Sequence, residues 1–200
     1  MDVKEPKVYA VGITGASGAI YGIRLVQALL KQNHQVHLLL TEAAWQVFHY
    51  ELHVNTEDKD RCLNELFGNH NNLYYHTQYE FSAPIASGSA KNSGMIIIPC
   101  SMGTLAKIAH GISSNLLERT ADVMLKERRP LIIVPRETPL HSTHLENMKR
   151  LSDQGAQLVP AMPGFYHNPS SMDDLINFVV GKVLDQLGVD HNLFTRWGES

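Results

Sequence analysis

Four short stretches of this chain collect residue types that bind phosphate or move protons. Thr14-Gly15-Ala16-Ser17-Gly18 combines glycines, which let backbone N–H groups come close to an anion, with a serine hydroxyl. Pro99-Cys100-Ser101-Met102-Gly103-Thr104 sets two hydroxyls around a glycine. Arg136-Glu137 places a guanidinium, whose planar fork grips two oxygens at once, beside a carboxylate that can take or give a proton. Met162 to Pro169 (MPGFYHNP) offers Tyr166 to an anion and Phe165 as a shield from water. Each stretch also has a plainer use: a tight turn, a helix N-cap at Ser101, a packed surface loop. Cys100 is read as a core thiol, because no basic partner stands near it in sequence. TGASG is not GxGxxG, and Thr41 stands where a ribose-reading carboxylate would be, which argues against a dinucleotide.

Chemistry of this kind requires the stretches to meet at one edge of a sheet. Val8 to Ile13 is apolar and rich in β-branched residues, so it predicts a buried strand, followed by a helix over Ala19 to Lys31. Gln35 to Leu40 predicts a second strand, and Thr41 to Ala44 opens a second helix. This βαβα pattern is the local signature of a parallel sheet with right-handed crossovers. Further strands are expected at Leu73 to His76, Met95 to Ile98 (ending at Pro99), Leu131 to Val134 and Leu158-Val159. Helices are expected at Cys62 to Phe67, Ser101 to Ala109, Asn115 to Arg128, His144 to Gln154 and Ser171 to Leu187, with a loop over Ser82 to Asn92. The expected fold is α/β, a three-layer Rossmann-like or flavodoxin-like domain with a mostly parallel sheet, spanning 1–200 as one unit. Phe194 and Trp197 predict a C-terminal tail that packs against something. Lys126 to Arg129 reads as a solvated helix end with cations near the C-terminus.

Composition narrows the function classes. The chain has 200 residues, 44% of them apolar, enough for one sizeable core. A net charge of −3 gives no sign of a nucleic-acid-coating surface. No apolar run nears the ~20 residues that cross a bilayer, and MDVKEPKVYAVGI lacks the pattern of a secretory signal. Cys62 and Cys100 suggest neither a disulfide framework nor CxxC chemistry, so a reducing cytoplasm is the simplest compartment. Eleven histidines invite a metal reading, but neither the His141/His144 nor the His34/His37 pair joins a further ligand at diagnostic spacing; no metal is expected. The residues by themselves point to an α/β enzyme that binds a phosphate-bearing cofactor.

Taken in order, several stretches together resemble the UbiX-like flavin prenyltransferases. They are GITGASGAIYG (Gly12 to Gly22), ASGS (Ala86 to Ser89), PCSMGTLAKIAHG (Pro99 to Gly111), NLLERTADVMLKERRPLIIVPRETP (Asn115 to Pro139), HLENM (His144 to Met148), PAMPGFYHNP (Pro160 to Pro169) and RWGE (Arg196 to Glu199). The resemblance implies FMN held between subunits of a homo-oligomer, usually a dodecamer built from trimers, and no metal requirement. It implies dimethylallyl monophosphate as prenyl donor, with the pyrophosphate used by some relatives. The product, prenylated FMN, would pass to UbiD-like decarboxylases of ubiquinone biosynthesis or aromatic-acid breakdown.

The same resemblance carries roles onto particular residues. Gly15, Ala16 and Ser17 match one FMN-binding segment, Ser101, Met102, Gly103 and Thr104 a second, with Thr41 and Arg136 as further FMN contacts. Tyr166 and Lys182 match donor-phosphate positions, and Ser89, Arg119, Lys126 and Glu137 match other polar active-site positions. Glu51 matches a carboxylate near the flavin edge, and Ser17 a hydroxyl beside flavin N5. The implied reaction bonds the prenyl group to N5 and then closes a ring at C6, with Lys126, Tyr166 and Lys182 stabilising the leaving phosphate and Glu137 moving a proton. Phe81 stands where some members have Trp, and Lys182 where some have Arg. Two alternatives stay open from sequence: an FMN-dependent cysteine decarboxylase of related fold, and a non-catalytic flavin-binding subunit of a phenolic-acid decarboxylase system.

Overall fold

The structure is a computed structural model and describes residues 5–198. Glu199, the last residue of the RWGE stretch, lies outside the described residues. Six strands, β1 (Val8–Ile13), β2 (Gln35–Leu40), β3 (Leu73–His76), β4 (Gly94–Cys100), β5 (Leu131–Pro135) and β6 (Gln157–Leu158), form one sheet. Their order is β3-β2-β1-β4-β5-β6, and every neighbouring pair is parallel. The helices are α1 (Ala19–Lys31), α2 (Glu42–Leu52), α3 (Lys59–Phe67), α4 (Met102–Ala109), α5 (Leu116–Lys126), α6 (Ser142–Asp153) and α7 (Met172–Leu187).

A parallel sheet must be covered on both faces, and strand alternation divides its side chains between two cores. Ile96 and Ile98 of β4 join Val11, Ile13, Leu38 and Leu40 under α1, α2, α3 and α7. Met95 and Ile97 point the other way and join Leu39, Ile133, Leu105 and Leu117 under α4, α5 and α6. The result is the doubly wound three-layer α/β fold. The chain winds outward in one direction from β1 and in the other from β4, so these adjacent strands send their following helices to opposite faces. That divergence makes the topological switch point, where such folds hold their ligands.

The sequence places the strands and helices in the right order and misses some of their ends: β6 is Gln157–Leu158 rather than Leu158-Val159, and α3 begins at Lys59 rather than Cys62. β4 does not stop at Pro99 but runs through it to Cys100. Proline lacks an N–H and is tolerated inside a sheet where the ladder is interrupted. Pro99 lies within such an interruption, since the β4–β5 register shifts between Ile97 and Cys100. The expected loop over Ser82 to Asn92 contains a one-turn 3₁₀ helix at Pro84–Ala86.

At the outer part of the sheet, two buried histidines form a directed chain. Gln35 Nε2 lies 2.9 Å from His37 Nε2, His37 Nδ1 lies 2.8 Å from His76 Nε2, and His76 Nδ1 lies 3.0 Å from Glu80 Oε1. Both rings satisfy this geometry as neutral Nδ1–H tautomers, each donating toward Glu80. Burial, and secondarily the neighbouring His76, pushes the His37 pKa down to about 4. Unfolding returns His37 to an ordinary imidazole, which takes up a proton at higher pH than the folded one. Its stabilising contribution is therefore complete above about pH 6.5 and is lost as pH falls toward 4, worth roughly 3 kcal/mol across that window. Urea unfolding midpoints measured between pH 4 and 7 should show this slope in the parent protein and a flatter one in His37→Gln.

Candidate functional site

The carboxyl ends of β1, β4 and β5 are tied together by a few bonds at the switch point. Thr14, buried at the end of β1, donates its hydroxyl to the Pro99 carbonyl at 2.9 Å. The same oxygen accepts the Ser101 N–H at 2.8 Å. The Thr14 N–H bonds Pro99 O at 3.2 Å, and the Arg136 N–H bonds Cys100 O at 3.2 Å. The Arg136 side chain then reaches across, its Nε donating to Ser17 O at 3.1 Å. The stretches at Ser17, Ser101 and Arg136, far apart in sequence, thus border one crevice. Sequence reading missed Thr14 as the residue that joins them; a Thr at a strand end carries no signal until the partner strand is known.

Helix ends supply most of the electrostatics here. Ser101 N-caps α4, accepting the Thr104 N–H at 3.3 Å, and its hydroxyl lies 3.1 Å from Thr104 Oγ1. Thr41 N-caps α2 through the Ala44 N–H at 3.1 Å. Gly15 abuts the first turn of α2, so closely that a Cβ there would collide with the Ala43 methyl. The N-terminus of α1 is already filled. Glu51 of α2 accepts the Gly18 N–H at 2.9 Å and the Ala19 N–H at 3.1 Å. Glu51 thus occupies the two amides that open α1. The positive ends left to meet an anion are the first turns of α2 and α4, with Arg136 beside them.

The remaining residues singled out from sequence distribute as follows. Ser17 is exposed, Ala16 is buried, and the Met102 side chain is buried in the α4–α5–α6 core, so Met102 can face the crevice only through its backbone. Gly103 is exposed, and a Cβ there would meet nothing within 4 Å. Glu137, next to Arg136, is exposed and accepts the Thr138 N–H at 3.0 Å. Cys100 is fully buried, and burial pushes its thiol pKa far up, as expected of an inert core cysteine.

Ser89, Arg119 and Lys126 stand elsewhere. α5 leads into β5 and runs against the strands, so its last residue, Lys126, sits at the amino edge of the sheet. Lys126 pairs with Glu127, and both border Gly88. Arg129 holds this loop through Ala90 O at 2.6 Å and Gly88 O at 2.7 Å, and Ser93 N bonds Val8 O at the start of β1. Ser89, bonded to Ser87 at 2.8 Å, belongs to the same edge. That edge is a strand length, about 20 Å, from the crevice. Arg119 stands about 10 Å before Lys126 on α5, on the carboxyl-edge side of it, and bonds Ala86 O at 3.1 Å and Asp122 at 3.0 Å. Tyr166 lies in the loop before α7 and Lys182 on α7 itself. That loop leaves the carboxyl edge, where the Ala161 N–H bonds Pro135 O at 3.1 Å. Lys126 and Ser89 are not brought to that edge by this chain.

Glu118, beside Arg119, is a buried carboxylate with a structural task. Burial works to raise its pKa, but hydrogen bonds from Ser114 and Lys107 outweigh that and hold it below the usual range. It accepts Ser114 N at 2.8 Å, Ser114 Oγ at 2.5 Å, Asn115 Nδ2 at 2.9 Å and Lys107 Nζ at 3.0 Å, so it clamps α4 to the start of α5. Among the described residues no three His, Cys, Asp or Glu side chains gather as a metal site, and no helix is long and apolar enough to cross a membrane.

Comparison with known proteins agrees with this geometry. Residues 2–184 match the model of the Flavoprotein family. A flavin prenyltransferase UbiX of Alkalihalophilus pseudofirmus is 62% identical over 200 residues, the whole of both chains. A crystal structure of AnUbiX (PadA1) in complex with FMN and dimethylallyl pyrophosphate superposes with a TM-score of 0.87 at 40% identity, covering 97% of this chain and 98% of that one. A dodecameric FMN-dependent UbiX-like decarboxylase from Escherichia coli O157:H7 gives a TM-score of 0.85 at 43% identity over 95% and 98% of the two chains. The chain belongs to the Flavoprotein family. Within it, the chain stands with the UbiX-type flavin prenyltransferases.

Removing the Thr14 hydroxyl tests the junction under the site. Thr14→Val deletes one bond and leaves the Ser101 N–H without its acceptor, which should cost about 2–3 kcal/mol in equilibrium unfolding by urea.

Proposed function

We propose that this chain, a single flavoprotein-type domain over residues 1–200, transfers a dimethylallyl group from dimethylallyl monophosphate to N5 and C6 of reduced FMN. The observation that carries this reading is the switch-point crevice in which Arg136 is drawn to Ser17, in a chain 62% identical end to end to a flavin prenyltransferase. The residues present fit a flavin mononucleotide. One arginine and two helix N-termini suit its phosphate, hydroxyls of Ser17, Thr41, Ser101 and Thr104 suit its polar chain, and open space lies over Gly103. Gly15, Ala16, Met102 and Gly103 contribute through their backbone.

Reduced FMN supplies the electron-rich N5 and C6 that form the new carbon bonds. The chain's residues do the rest. Lys126, Tyr166 and Lys182, with Ser89 and Arg119, bind the donor phosphate and stabilise the charge that grows as the donor C–O bond breaks and phosphate leaves with the bonding pair. Glu137, held by the Thr138 N–H, moves a proton between the flavin edge and that phosphate. Glu51 fixes the Ser17–Gly18 turn by filling α1's N-terminus, so that Ser17 Oγ can orient a proton at N5. The product is destined for a UbiD-like decarboxylase, and the reaction belongs to the cytoplasm. Since Lys126 and Arg136 sit at opposite edges of one chain's sheet, the site is completed by neighbouring copies, in keeping with a dodecamer like the Escherichia coli relative.

Purified protein mixed anaerobically with reduced FMN and dimethylallyl monophosphate should yield a flavin heavier by one five-carbon unit in a mass spectrum. No adduct with either the mono- or the pyrophosphate would reject the reading. Arg136→Met should weaken FMN binding about 30-fold, near 2 kcal/mol, and Glu137→Gln should lower kcat about 100-fold or more with FMN still bound. Assembly from several copies has its own signature. Lys126→Ala and Tyr166→Phe, each impaired alone, should recover activity when co-assembled, because some mixed sites then contain neither substitution. Mixtures no better than the average of the two parents would place both residues in one chain's site.

A further inference from the structure

Asp185, on the last turn of α7, is the hub of a network that no catalytic assignment above uses. Its carboxylate receives Arg196 on both oxygens, at 2.7 and 3.1 Å, and His191 Nε2 at 3.1 Å. His191 is fixed as the Nε2–H tautomer, because its Nδ1 accepts the Leu193 N–H at 3.2 Å. Lys182 Nζ stands further off, at 3.7 Å. The Asp185 side chain is only 19% exposed. Burial works to raise its pKa, but Arg196 and His191 outweigh this and hold the carboxyl below the usual range.

These bonds fold the chain after α7 back across the helix. Gly181 makes the seat. A Cβ there would come within 2.5 Å of Phe194 and 2.7 Å of His191. Glycine inside a helix costs about 1 kcal/mol relative to alanine, so its presence under the tail points to a seat rather than to helix stability. Phe194 packs on Phe178 at 5.0 Å, with the Arg196 guanidinium 5.6 Å above its ring. One residue on, Trp197 meets the Tyr166 ring edge to face at 5.3 Å, while Phe178 meets it from within at 5.7 Å. Tyr166 is otherwise in an exposed loop, so the tail supplies one of the walls that orient its ring.

We propose that Asp185 is a positioning residue for the donor-phosphate corner: by binding Arg196 and His191 it straps residues 189–198 over α7, sets Trp197 against Tyr166, and leaves Lys182 for an anion. The last effect follows from competition. A carboxylate paired bidentately with a guanidinium has little attraction left for an ammonium 3.7 Å away. Without Arg196, Asp185 would draw Lys182 in and spend its charge; without Asp185, the strap that orients Tyr166 is released. The proposal deepens the reading above and rests on its assignment of Tyr166 and Lys182 to the donor phosphate.

The test is donor kinetics in the intact oligomer. Asp185→Asn should raise the KM for dimethylallyl monophosphate about tenfold, with kcat at saturating donor within about twofold and FMN affinity unchanged. Asp185→Glu should recover part of the loss. Arg196→Gln should raise the same KM, and the double variant should be no worse than the poorer single, since both act through one strap. A KM unchanged in both Asp185→Asn and Arg196→Gln, or one that rises only in step with lost FMN binding, overturns the proposal. Tyr166→Phe and Lys182→Met run beside them separate the two ideas. If these raise the donor KM and the Asp185 and Arg196 variants do not, only the positioning role fails. If these leave the KM unchanged, the donor phosphate has been put in the wrong corner and the positioning role fails with it.

Discussion

The site depends on how two neighbouring strands part. β1 and β4 are hydrogen-bonded along most of their length, yet their following helices leave toward opposite faces. Parting opens the crevice, and it also exposes backbone groups that a sheet would otherwise satisfy. Pro99 adds to the difficulty, because it has no N–H to give. Thr14 resolves it with one oxygen that donates to Pro99 O and accepts from Ser101 N. A buried carbonyl or amide left without a partner costs about 1–3 kcal/mol, so this hydroxyl makes a splayed strand end compatible with a stable core.

Charge at the strand ends is arranged on that base. Three helices begin near the crevice, and each N-terminus carries about half a positive charge. Glu51 cancels one of them and leaves α2 and α4 for an incoming anion. A carboxylate on α1's amides also repels a second anion placed there, an effect on the order of 1–4 kcal/mol over a few ångströms between water-like and surface dielectric. Arg136, tied to Ser17 by its Nε, links the end of β5 to the β1–α1 turn. The crevice therefore selects where a phosphate lies by what is already occupied as much as by what is open.

Local signals carried most of the fold. Apolar strand runs, N-cap residues at Thr41, Ser101 and Ser171, and the βα rhythm are written within a few residues of where they act. For Ser101, a cap and a crevice position do not exclude each other: it N-caps α4, and a helix cap at a switch point also borders the crevice. What sequence did not show is long-range. Glu51 reaches residues 33 and 32 positions away, and Thr14 bonds a strand 85 positions on, contacts that no spacing rule reports. Lys126 and Arg136 stand close in sequence, yet β5 lies between them and sends them to opposite edges of the sheet.

That separation explains why a chain of this size need not enclose its own site. A doubly wound sheet has a functional edge where strands end and another edge where helices return, and a short strand of five residues already puts them about 17 Å apart. A cation at the end of a returning helix is a strand length from the crevice of its own chain, so only a second copy's returning-helix edge could set one there. Order in the loop before α7 is set in the same long-range way. Asp185 holds Arg196, and the next residue, Trp197, meets the Tyr166 ring, so a carboxylate near the end of α7 bears on a loop that precedes the helix.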